Sequence, residues 1–238
     1  MSEELDRVKG ELVAANRILA REGILDAYGH VSARVPGSSD QFYLSRARAA
    51  AMVEPDDVLV HGLDGEVVRP TDQPVFLERY LHAAIYAARD DVGAVCHAHT
   101  PSILPFSVAT RPLRAVIHAA RCLGTEVPVW DLARRFPGEW SPLVRNIAYG
   151  ASLAEALDGQ AVALLRGHGC VVVGRDLQEV VARCLAMDRN AKVQLVAERL
   201  GGYVALHPGE CEDVRTPQPP LARDNRAWEY FRRRAGLE

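Results

Sequence analysis

The chain has 238 residues, 48% of them hydrophobic and 25% charged, with a formal net charge of -3. Such a chain is long and apolar enough for one sizeable globular domain, and its slight acidity excludes a protein that grips nucleic acid through a basic face. The first residues are charged from Glu3 onward, no apolar run approaches the ~18 residues of a membrane span, and the cysteines are scattered without a CxxC pair, so a reduced cytoplasmic protein that does not enter a membrane is expected.

Residues 4–21 read as an amphipathic helix, with Leu5, Val8, Leu12 and Leu19 recurring at helical spacing between charges. Short β-like runs follow over 30–34, 41–44 and 58–61, and Leu63-Asp64-Gly65-Glu66 is a hairpin turn signal. Residues 70–74, bounded by prolines, form a loop, and a helix over 76–88 sets Leu77, Leu81 and Ile85 on one face. The apolar run 92–96 predicts a buried strand that leads directly into His97-Ala98-His99. Pro101 suits the first turn of a helix, and 115–130 reads as strand pieces and loop. A short helix over 150–157 precedes two apolar strands, 161–165 and 170–173, which flank Arg166-Gly167-His168-Gly169. Residues 177–200 form a long helix closed by Gly201-Gly202. A Pro-rich connector over 216–220 leads to Trp228, Tyr230 and Phe231, which are expected to dock, while Arg232-Arg233-Arg234 reads as solvated. The irregular alternation of strands and helices predicts a single α/β domain over 1–238 around a central mixed sheet, with 216–238 as a C-terminal docking tail.

The chemistry gathers on histidines. His97 and His99 are two apart at a strand end and therefore point to one face. Two imidazoles so placed chelate a first-row divalent ion, or else serve as ordinary hydrogen-bonding groups. His168 lies between two apolar strands, and its flanking glycines permit close backbone approach. It is the natural third ligand, and three protein ligands with an open position is the arrangement of a catalytic metal site. Glu78 and His82 are four apart and share a helical face. Such a pair also occurs solvated on exposed helices; beside a metal, Glu78 acts as general acid/base with His82 next to it. His61 and His207 show no partner pattern and read as surface residues.

In this order the pieces resemble the class II aldolase/adducin family, from Leu12 to about Gly202. Gly29-His30-Val31-Ser32-Ala33-Arg34 resembles that family's Gly-(Asn/His)-(Val/Ile)-Ser-x-Arg stretch. Glu78-x-x-x-His82-x-x-Ile85-Tyr86 resembles its glutamate helix, Val95-Cys96-His97-Ala98-His99 its metal strand, and Leu165-Arg166-Gly167-His168-Gly169 its second metal turn. The resemblance implies a three-layer α/β/α fold with a central mixed, mainly antiparallel sheet, and a homotetramer with sites at subunit interfaces. It makes His97, His99 and His168 ligands of one divalent metal ion per subunit (Mn, Zn, Co or Fe), and Glu78 the catalytic acid/base. It also places substrate contacts around His30 and Ser32.

The hydroxyl-rich phosphate loops of the family's sugar-phosphate enzymes are missing. Their places hold Leu44-Ser45-Arg46-Ala47-Arg48-Ala49 and Thr71-Asp72-Gln73-Pro74. The Ser-Arg-x-Arg-Ala stretch with Gly-His-Val-Ser upstream is similar to the family's decarboxylase branch, which acts on hydroxylated aromatic (dihydroxyphthalate-type) or hydroxypyridine dicarboxylates. Arg46 or Arg48 then holds a carboxylate through its planar fork, and His118 lines the pocket or packs as a core or interface histidine. Glu78, with a proton retained through burial, delivers it to carbon. Alternatives are an aldolase for a non-phosphorylated hydroxy-acid or aldehyde, an iron oxygenase on the same fold, and a non-catalytic interaction module.

Overall fold

The pleat of the strands divides the protein into two layers about one sheet. The computed structural model describes residues 2–211 and 226–237. In chain order, α1 (Ser2–Arg21) leads to β1 (His30–Arg34), β2 (Gln41–Ser45) and β3 (Val58–Gly62). Next come α2 (Arg79–Ala88), β4 (Ala94–Ala98), the short α3 (Leu104–Val108), β5 (Val129–Trp130), α4 (Leu132–Arg135) and α5 (Ile147–Leu157). β6 (Val162–Leu165), β7 (Gly169–Gly174), α6 (Leu177–Arg199) and α7 (Arg226–Arg234) complete the described residues. The strand order is β3-β2-β1-β4-β7-β6-β5. Among the described residues only β5 and β6 pair in parallel, so the sheet is mixed and mainly antiparallel, as expected.

Alternation assigns each strand side chain to a layer. Val31, Ala33, Ala94, Cys96, Ala98, Cys170 and Val172 pack under α1 and α6. Leu44, Val95, Val171 and Val173 pack under α2 and α5. α6 starts where Asp176 accepts a hydrogen bond from the Glu179 N–H, and α5 where Asn146 accepts one from Tyr149, both ordinary N-caps. No helix among the described residues is long and apolar enough to cross a membrane.

Three expectations change. The helix over 76–88 begins at Arg79, and Glu78 sits at its N-cap with φ -90° and ψ 19°. The 115–130 stretch is irregular backbone interrupted by a 3₁₀ segment, His118–Leu123, with the two-residue β5 as its one strand piece. Its approach is tied to α6: Asn190 Oδ1 accepts from the Val116 and Ile117 N–H groups, and Asn190 Nδ2 donates to the Arg114 carbonyl. Those backbone groups are thereby satisfied without a strand partner. His61 is fully buried on β3, its ring stacked 5.3 Å from Phe42. Burial, and then the Arg79 charge, push it down to about 4. The 216–220 connector lies outside the described residues. In α7, Trp228 and Phe231 pack against the α1/α6 layer, Arg234 pairs with Glu22 at 2.7 Å, and Tyr230 is exposed.

Candidate metal centre

His97 shares the α2 side of the sheet with Val95, and His99 follows just beyond the end of β4. His168 occupies the turn between β6 and β7. Gly167 there adopts φ +65°, a left-handed conformation natural to glycine. At Gly169 a side chain would collide with the Ala98 carbonyl, so this glycine lets the turn close on the end of β4. The result is convergence. His99 Nε2 lies 3.1 Å from His97 Nε2 and 3.2 Å from His168 Nε2, and Glu78 Oε2 lies 3.4 Å from both His97 Nε2 and His168 Nε2. One ligand atom from each of the four residues falls within 4.8 Å of all the others.

Hydrogen bonding tests whether these groups suit a cation. A carbonyl only accepts, so His97 Nδ1 donates to Cys170 O at 3.0 Å, and neutral His97 keeps a bare lone pair on Nε2. His99 Nδ1 likewise donates to the Asp26 carboxylate, at 3.1 and 3.2 Å to its two oxygens. Two bare nitrogen lone pairs 3.1 Å apart repel unless a cation or a proton stands between them. A tetrahedral ion with metal–nitrogen bonds of about 2.0–2.1 Å separates its ligands by about 3.3 Å. Three imidazoles and one carboxylate are a fitting donor set for a first-row divalent ion.

Contacts distant in sequence orient the four. Asp26 Oδ1 also accepts from the Tyr28 and Gly29 N–H groups. Burial opposes ionisation of Asp26, but those bonds and His99 outweigh it and hold the carboxyl below its ordinary range. The Val144 N–H donates to Glu78 Oε1 at 2.8 Å, which leaves Oε2 facing the histidines. Burial by itself raises the Glu78 carboxyl. The facing His97 and His168 outweigh that and hold it well below the usual carboxylate range. The shift is thus opposite in direction to the one that burial by itself was expected to give Glu78.

The other expected site residues separate into groups. His82 is fully buried between His30 and Ser32: its Nε2 lies 2.7 Å from His30 Nδ1, and its Nδ1 lies 2.7 Å from Ser32 Oγ. Ser32 Oγ also meets the Tyr86 hydroxyl at 2.8 Å, so Ser32 is enclosed rather than facing the cleft. His30 lines a cleft of about 420 Å³, together with Tyr28, Phe76, Glu78, His99 and His168. That volume suits a one-ring substrate. Arg46 and Arg48 do not line it. Arg46 Nε and Arg48 Nη1 both bind buried Asp57, at 2.6 and 2.7 Å, and one carboxylate facing two guanidiniums leaves a net positive charge there. Extending the β1–β2 register, in which Ser32 faces Leu44, sets Arg46 level with His30. His118 is exposed and lines a separate pocket of about 250 Å³ with Glu179 and Arg183. That pocket is near Gly174, at the far end of β7 from Gly169, about 17 Å away along the strand. Sequence reasoning missed Asp26, Tyr86 and Val144 as parts of the site. Of these, Asp26, just ahead of the Gly29 motif, and Tyr86, at the end of the glutamate-helix motif, have local cues, and Val144 has none.

The family described as the Class II Aldolase and Adducin N-terminal domain matches residues 10–195, and the chain belongs to it. Among curated relatives, the decarboxylase tropJ of Talaromyces stipitatus is 34% identical over 209 residues, spanning 83% of this chain and 79% of that protein. A 3,4-dihydroxyphthalate decarboxylase of Arthrobacter keyseri is 28% identical over 210 residues, spanning 80% and 79%. An L-fuculose 1-phosphate aldolase from Glaciozyma antarctica PI12 superposes with a TM-score of 0.76 at 24% identity, covering 98% of this chain and 90% of that one, a likeness of fold. The activities in these names all break carbon–carbon bonds.

Proposed function

We propose that this chain is a divalent-metal-dependent carboxy-lyase acting on a hydroxylated aromatic or hydroxypyridine dicarboxylate. The observation that carries the reading is the convergence of three imidazole Nε2 atoms and Glu78 Oε2 at the floor of a ring-sized cleft. The two relatives named as decarboxylases support it. His97, His99 and His168 are the ligands, with Glu78 as a fourth when no substrate is present. An ion held there supplies a Lewis acid for the electron pair that stays with the ring when carbon dioxide departs.

The remaining chemistry falls to the protein's own side chains. Anionic Glu78 takes the proton of the substrate's ring hydroxyl and returns it to the ring carbon that loses carbon dioxide. His30 meets substrate oxygen at the cleft wall. The excess positive charge of Arg46, Asp57 and Arg48 attracts the carboxylate that is retained. His118 faces away from its own chain's cleft, so its contribution is across a subunit interface, in the homotetramer the family resemblance implies. Mixing His118→Ala and Glu78→Gln subunits tests that arrangement: hybrids recover activity if one chain's His118 serves another chain's Glu78, and stay inactive if it does not.

The reading is tested by carbon dioxide release from ortho-hydroxylated phthalates and pyridine dicarboxylates, with Mn, Co, Fe or Zn returned to metal-stripped enzyme. Metal-dependent release is expected from at least one compound. Silence from fully loaded enzyme overturns the decarboxylase reading in favour of aldol cleavage of an unphosphorylated substrate.

A further inference from the structure

The cleft above the candidate metal centre is polar at its floor and apolar at its rim. His30, Glu78, His99 and His168 form the floor, and Tyr28, Phe76, Leu77 and Leu143 the rim. Tyr28 is 74% exposed and Leu77 50%. A single exposed apolar side chain is ordinary on a protein surface. Four that converge on one cleft, around groups able to hold a cation, mark a ligand with apolar surface.

Local structure explains how these side chains come to face the cleft. Spacing alone predicts that Leu77 is covered together with Leu81 and Ile85, but α2 starts at Arg79, so Leu77 stays in the turn ahead of the helix. Phe76 packs partly against the α2/α5 layer, and its carbonyl accepts from the Arg79 N–H at 3.4 Å and from Arg79 Nη1 at 3.2 Å. Its ring centroid lies 4.3 Å from that of His30, with the planes tilted by 43°. A Cβ on Gly29 would fall 3.1 Å from the His97 carbonyl, so this glycine seats the Tyr28 turn against the end of β4.

The rim is tied to the floor through the chain. Phe76 and Leu77 directly precede Glu78. Leu143 precedes Val144, whose N–H donates to Glu78 Oε1. The Tyr28 N–H donates to Asp26 Oδ1, in the carboxylate that binds His99. The backbone therefore sets the spacing between the apolar rim and the four ligand atoms. Such a cleft fits a ligand with oxygen donors at one edge and a flat apolar face. A polyol would press hydroxyl groups against Phe76 and Leu77, where they lose water without gaining a partner.

We propose that Phe76 and Tyr28, with Leu77 and Leu143 beside them, are the specificity-determining residues of this cleft and hold the unsaturated ring of a hydroxy-carboxylate by its face. The choice of a hydroxy-carboxylate rests on the proposed function; selection of a flat ring does not require that carbon dioxide be released.

The test is titration calorimetry of the zinc-loaded protein with salicylate and with its saturated cyclohexane counterpart, which has the same two oxygen groups on a puckered ring. The two compounds' own metal affinities cancel when the preference for salicylate is compared between wild type and variant. Phe76→Ala should lower that preference about two- to tenfold, the usual worth of one aromatic contact. Phe76→Leu, which keeps apolar volume against the α2/α5 layer, should lower it as well. Tyr28→Ala should lower it less, and Tyr28→Phe should leave it unchanged, because only the ring is invoked. Zinc content is expected to match wild type in all four. An unchanged preference in both Phe76→Leu and Tyr28→Ala overturns the proposal. So does a Tyr28→Ala protein that changes its subunit association but not its preference, which assigns the rim to a subunit contact. Ring-selective binding without carbon dioxide release from any compound removes the decarboxylase reading and leaves this inference standing. Carbon dioxide release with an unchanged preference removes this inference alone.

Discussion

The two faces of the central sheet use the same strands for opposite purposes. Toward α1 and α6, β1, β4 and β7 send Val31, Ala33, Ala94, Cys96, Ala98, Cys170 and Val172 into a purely packed layer. Toward α2 and α5 the same strands send His30, Ser32 and His97, and the interleaved Val95 and Val171. One residue of pleat thus separates a side chain that holds the fold from one that holds chemistry. The strand side chains of the apolar face need neither water nor charge, and their close packing supports the imidazoles on the other face.

That division is open to attack from both sides. The largest effect is expected on the chemical face: His97→Ala and His168→Ala should lose stoichiometric metal and all turnover while remaining folded. Elemental analysis of purified protein reads this directly, and full metal content in both variants would remove the ligand assignment. Glu78→Gln should retain the metal and lower kcat by about 10²–10⁴-fold, the usual worth of a positioned acid/base. Near-normal turnover would take Glu78 out of the chemistry. On the packed face, Ile18→Ala should cost about 2–5 kcal/mol in denaturant unfolding, because Ile18 is fully buried. Its metal content per folded molecule should not change, and a loss of metal there would show that the faces are not independent.

Smaller changes sharpen the comparison. Asp26→Asn keeps the cap on the Tyr28 and Gly29 N–H groups but weakens the grip on His99. Metal affinity, measured by chelator competition, should fall about 10–100-fold; an unchanged affinity would reduce Asp26 to a turn residue. The smallest effect concerns His61, held at about 4 in the fold against an ordinary 6.5. Below pH 6.5 the unfolded chain takes up a proton that the folded chain refuses, so stability falls as pH drops toward 4. His30 and His82 act in the same direction, so His61→Leu should make the decline shallower without abolishing it. Identical slopes for the two proteins in urea unfolding at several pH values would show that His61 is not buried as described.

Much of the candidate centre is visible in local patterns. His97 and His99 follow a strand, His168 sits between glycines, and Glu78 precedes His82 by one helical turn. Each of those signals needs only neighbours within a few residues. The supports are another matter. Asp26 meets His99 across 73 positions, Val144 meets Glu78 across 66, and Ser32 meets Tyr86 across 54. No periodicity in the chain announces such contacts. His61 reads as a surface histidine until β2 and β3 pair and α2 covers it, and Arg46 and Arg48 read as free until Asp57 comes between them.

By itself, then, the sequence determined the α/β class, most of the strands and long helices, and the residues able to bind a metal, because hydrophobic period and motif spacing are local properties of a chain. Only the tertiary structure decided that Glu78 Oε2 faces His97 and His168, that Ser32 and His82 are enclosed, and that His118 looks away from its own cleft. Those outcomes depend on burial and on which charges face one another, and both arise only when distant segments pack together.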